Sequence, residues 1–121
     1  MKLHLTLLLA VLTTATAHAK DTGLAYVTSE KDNAITMVDA KTFAVVGTIK
    51  TCKRPRHMHL MPDGLRVMVA CGDSNAAGII DLAARKQVGT VPLGDDPEAF
   101  DLSKDGKLAY VSAEEDGALN V

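Results

Sequence analysis

An all-β chain made of a repeated four-stranded unit is predicted by three observations. The first is an internal offset of 42 residues. It carries Pro55 onto Pro97, Leu60 onto Leu102, Asp63 onto Asp105, Gly64 onto Gly106 and Val69 onto Val111. It also carries Tyr26-Val27 onto Met68-Val69, Val38-Asp39 onto Ile80-Asp81, and Val46-Gly47-Thr48-Ile49 onto Val88-Gly89-Thr90-Val91. The second is Pro62-Asp63-Gly64, lying between an alternating stretch at 57–61 and an apolar run at 65–70. Pro, Asp and Gly in that order supply the fixed φ, the side-chain acceptor and the positive φ of a hairpin loop with a bulge. The third is the crowding of Val, Ile and Thr at the strand positions, where branched side chains suit a pleated surface. Four strand-like segments per period are the signature of a β-propeller blade.

The elements follow in order. Residues 1–19 read as a secretory signal peptide: Lys2 gives a positive start, 3–12 is apolar, and Ala17-His18-Ala19 offers a small-x-small cleavage site. The apolar part is too short for a membrane span. Export places residues 20–121 in the periplasm, where disulfides persist. The first unit has strands at 24–29, 34–39 and 43–49, separated by a polar turn at 30–33 and by Lys41-Thr42. The second has strands at 56–61, 65–70, 78–81 and 86–91; 83–86 could seed a helical turn too short to stand alone. The third opens at 98–102 and 107–112, and the chain stops at 119–121.

The count is about two and a half blades, whereas closed propellers need four to eight. The first unit enters after the Pro-Asp-Gly position and lacks an innermost strand. The last three residues stop within a strand. The phase therefore reads as the front part of a longer coding sequence. Uncovered sheet faces and edges lead us to expect self-association of this chain.

Composition narrows the function classes. With 121 residues, 3% aromatics, no Trp and a net charge of −2, nothing favours nucleic acid or an anionic membrane as partner. There is no nucleophile elbow, phosphate-binding loop, haem-attachment C-x-x-C-H or zincin helix. The absence of Trp speaks against a Trp-docked quinoprotein dehydrogenase.

The most suggestive cluster joins Lys50, Cys52, Lys53, Arg54, Arg56, His57 and His59, at a connection between units and the start of an innermost strand. His57 and His59 are two apart on a strand and share a face, so their imidazoles could ligate a metal or a haem iron. The plainer reading packs both against the neighbouring blade, ring nitrogens bonded to backbone. Arg54 and Arg56 could bind an anion through bidentate contacts. One period later, however, Lys53, Arg54 and Arg56 become Asp95, Asp96 and Glu98, so cationic and anionic rims of adjacent blades could simply face each other. Cys52 and Cys71 are the only cysteines. With Cys71 opposite the region of Pro55, a disulfide is sterically open, yet the separation favours two free thiols. A metal site from both cysteines and both histidines has no tight C-x-x-C pair to anchor it.

The segments AYVTSEKDNAITMVD (25–39), RPRHMHLMPDGLRVMVACGDS (54–74) and DDPEAFDLSKDGKLAYVSAEEDGALNV (95–121) resemble the YVTN family of β-propeller repeats. They are most similar to the exported β-propellers associated with pyrroloquinoline-quinone (PQQ)-dependent catabolism. The resemblance covers 23–121 in register. It implies a seven- or eight-bladed periplasmic propeller encoded alongside PQQ-dependent alcohol or amine oxidation, and related propellers include haem-binding domains of nitrite reductases. His57, His59 and Met61 depart from the family, standing where its repeat has small residues; Ala76-Ala77-Gly78 departs where it has β-branched ones. The expectation is a non-catalytic accessory or binding propeller that requires no cofactor and serves a periplasmic dehydrogenase or cytochrome. The alternative is a haem- or metal-binding redox propeller using His57 or His59.

Overall fold

The computed structural model describes residues 22–115 and 117–121, so the signal peptide expected at 1–19 lies outside the described residues. Among the described residues, ten strands form three antiparallel sheets. The first sheet has the order β1-β2-β3, with β1 at Leu24–Ser29, β2 at Ala34–Asp39 and β3 at Val45–Lys50. The second is β4-β5-β6-β7, with β4 at Pro55–Leu60, β5 at Arg66–Cys71, β6 at Ala76–Asp81 and β7 at Lys86–Pro92. The third is β8-β9-β10, from Pro97–Leu102, Ala109–Ala113 and Leu119–Asn120. A 3₁₀ turn at Gly72–Ser74 links β5 to β6. None of the sheets closes on itself.

The sheets stack face to face, and alternation along β5 shows why the sequence dictates this. Side chains of a strand point to opposite faces in turn. Val67, Val69 and Cys71 join Ile35, Met37 and Ile49 of the first sheet in one buried cluster with Ile80. Met68 and Ala70, one step out of phase, join Ala77, Ile79, Leu93, Phe100 and Val111 in a second cluster against the third sheet. The apolar run at 65–70 is thus a strand buried on both faces. Each fully buried aliphatic side chain contributes about 1.5–3 kcal/mol through burial.

The 42-residue offset is written into the backbone as well. Left-handed φ values recur at Asn33 and Asn75 (52° and 51°), and again at Gly117 (57°). They recur at Phe43 and Arg85 (59° and 52°), at Arg54 and Asp96 (58° and 40°), and at Gly64 and Gly106 (67° and 69°). Only the last pair uses glycine twice, in the Pro-Asp-Gly and Lys-Asp-Gly turns. There Asp63 and Asp105 accept N–H bonds from Leu65 and Lys107 at 2.9 and 3.1 Å. Those contacts, with the Arg66 side chain for Asp63 and the Ser103 hydroxyl, the larger influence, for Asp105, hold both carboxyls below the usual carboxylate range.

Several expected boundaries move. Phe43 belongs to a turn, not a strand, because Asp39 closes it: its carboxylate accepts from the N–H groups of Lys41 and Thr42 at 2.9 and 2.8 Å. The segment 83–86 makes no helical turn. Ala84 N–H donates to Asp81 at 2.8 Å, Arg85 turns left-handed, and β7 begins at Lys86. Ala76-Ala77-Gly78 does not shorten its strand; β6 runs in full, paired to β5 and β7. Its small side chains leave room, since a Cβ on Gly78 would lie 2.8 Å from Gln87 Oε1 and 3.1 Å from Cys52 Sγ.

Candidate functional site

The connection from β3 to β4 crosses from the first sheet to the second, and it carries the residues singled out by the sequence. Four hydrogen bonds fix its path. Cys52 N–H donates to Gln87 Oε1 at 2.8 Å, Lys53 N–H to Ser74 Oγ at 2.9 Å, and Arg54 N–H to Asn33 Oδ1 at 2.8 Å. Arg54 C=O accepts from Gly72 N–H at 3.0 Å. One period on, Asp96 N–H donates to Asn75 Oδ1 at 3.1 Å and Asp96 C=O accepts from Glu114 N–H at 3.2 Å. Asn33 and Asn75 are therefore equivalent side-chain clips between consecutive sheets. Sequence reasoning missed them, although their 42-residue separation was visible.

The free-thiol reading of Cys52 and Cys71 is corrected: the two are joined in a disulfide with Cα atoms 5.8 Å apart. Pro55 does pair with Cys71, but the register shifts between Pro55 and Met58 and Arg54 turns left-handed. That fold-back brings Cys52 within reach. With both sulfurs bonded, a metal site using the two cysteines is ruled out. Among the described residues no group of three or more His, Cys, Asp or Glu is arranged to hold a metal ion.

Arg54 and Arg56 come together, surrounded by carboxylates of all three sheets and their connections. Arg54 meets Glu30 at 3.2 Å, Asp96 at 3.3 Å, Glu114 at 3.5 Å and Asp73 at 3.6 Å. Arg56 meets Glu114 in a short hydrogen bond, Asp96 at 3.6 Å and Glu30 at 3.9 Å. The facing rims are thus real, but their membership differs from the sequence expectation. Asp96 takes part, Asp95 instead bonds Asn75 at 3.0 Å, and Glu30, Asp73 and Glu114 were not foreseen. The hydrogen bond from Arg56, then its charge and that of Arg54, hold the Glu114 carboxyl below its ordinary value. Four carboxylates around two guanidiniums leave the cluster anionic, so it repels an added anion.

His57 and His59 share the exposed face of β4, as alternation requires, and both approach Phe100 of β8. Ring centroids lie 5.1 Å apart for His57, edge-on, and 6.4 Å for His59. Their ring nitrogens differ. His57 Nδ1 accepts the backbone N–H of Phe100 at 3.4 Å, which puts the proton of its neutral ring on Nε2. His59 Nδ1 lies 3.8 Å from the Asp101 carboxylate, near it but beyond hydrogen-bond distance. A shallow hollow of about 540 Å³ beside β4 is lined by Thr28, Glu30, Arg54, Arg56, His57 and Glu114.

No protein-family model matches the chain, and no curated protein matches it. Solved structures do. The chain superposes on Kuenenia stuttgartiensis hydrazine synthase with a TM-score of 0.69 and 26% identity, over 78% of this chain and 27% of that one. A functionally unknown protein from Desulfotomaculum acetoxidans matches at 0.64 and 20% identity, over 80% of this chain and 36% of that one. The dihydro-heme d1 dehydrogenase NirN, solved in complex with DHE, matches at 0.64 and 24% identity, over 87% of this chain and 22% of that one. The chain spans about a fifth to just over a third of the length of these structures. Hydrazine synthase and NirN are β-propeller proteins, and the fold here is β-propeller-like. Among the described residues no helix is long and apolar enough to cross a membrane.

Proposed function

We propose that this chain is part of an exported, periplasmic YVTN-type β-propeller, about two and a half blades of it. In this reading it is an accessory or binding protein of PQQ-dependent alcohol or amine catabolism, and not itself a catalyst. One observation carries the non-catalytic reading. The polar groups that looked most like a site are engaged in holding consecutive sheets together: Arg54 and Arg56 by carboxylates, Cys52 and Cys71 by each other, and His57 Nδ1 by backbone. What stays open to a partner is the exposed face of β4, with His57 and His59, and a periplasmic dehydrogenase or cytochrome is the partner proposed for it. Immobilised protein should retain such a dehydrogenase, and a His57→Ala/His59→Ala double variant should not. Equal retention by both would overturn the assignment of that face.

A haem-binding propeller is the second reading, favoured by the ring of His59 and by the likeness to NirN. The geometry favours His59 over His57, because His57 Nδ1 already accepts the backbone N–H of Phe100, whereas the His59 ring lies near Asp101 beyond hydrogen-bond distance. Haem reconstitution followed by absorption spectroscopy tests it. A Soret band lost in His59→Ala and kept in His57→Ala supports this reading; no band in the wild type removes it.

The outward faces of the first and third sheets suggest association between copies of this chain. Val27, Tyr110 and Leu119 are exposed there, whereas their repeat equivalents are buried.

A further inference from the structure

We draw no further inference here: the strongest candidate, the hollow of about 540 Å³ beside β4 at whose wall the buried Arg56 Nη1 finds no hydrogen-bond acceptor among the described residues, belongs to the charged seam already described, where the Asp96 carboxylate lies 3.6 Å from that nitrogen.

Discussion

The second sheet and its neighbours are copies of one unit set in different surroundings. Val69 on β5 is fully buried, while its equivalent Val27 on β1 is 53% exposed. Ala77 on β6 is fully buried, while Leu119 on β10 is 69% exposed. Left-handed turn positions recur across the units, so their turn geometry does not differ. The neighbours do: the second sheet has one on each face, whereas each outer sheet has a neighbour on one face only. In stacked repeats, stability resides in the interfaces as much as in the units.

The largest predicted effect is at the centre of that contrast. Ile80→Ala should cost about 2–5 kcal/mol, because it empties a fully buried position in a packed interface. Val27→Asp should change stability by no more than about 0.5 kcal/mol, as for an exposed surface position, while shifting sedimentation towards monomer. Denaturant melts of both variants measure the difference, and equal losses would abolish the distinction between inner and outer faces.

Next in size is the disulfide. A Cys52→Ser/Cys71→Ser double variant should lose about 2–4 kcal/mol, and reduction of the wild type should lower its melting temperature accordingly. The interface of the second and third sheets has no such tie, since position 94 is Gly and position 113 is Ala.

Smaller effects come from the polar seams. Arg56→Met should lower the denaturant midpoint slightly, because Asp96 and Glu114 lose their shielded partner and keep only Arg54. Asn33→Ala and Asn75→Ala should each cost about 0.5–1.5 kcal/mol, the value of one hydrogen bond, and by similar amounts. Unequal losses would show that the two seams are not equivalent.

The smallest expected effect is in the pH dependence. Glu114 and Asp63 have folded pKa values below those of the unfolded chain, so their contribution is complete above the ordinary carboxylate range. It should be lost as pH falls through that range to the lowered folded values. Arg56→Met should flatten the part due to Glu114, as acid melts would show.

The period, the strand segments and the apolar run at 65–70 were legible because apolar alternation and turn residues are local signals. The left-handed positions were less so. Phe43, Arg54 and Arg85 adopt that conformation without being Gly or Asn; Phe43 N–H is held by the nearby Asp39 C=O, and Arg54 by Asn33 and Gly72, which only the folded chain brings near. Arg54 and Arg56 looked like an anion site because their charge was visible, whereas Glu30 and Glu114 lie 24 and 58 residues away from the arginines they meet. The disulfide stayed the less favoured of two readings for a similar reason. Reach between Cys52 and Cys71 depends on a bulge and a left-handed turn, and neither has a mark in the residue types.

The covalent bridge between Cys52 and Cys71 gives the stack a polarity. It staples the crossing from the first sheet to the core of the second, leaving the other crossing held by noncovalent contacts alone. Heat or mechanical load should accordingly part the third sheet from the second before the second from the first, with amides of β8 and β9 exchanging well before those of β2. Such a molecule frays in one direction.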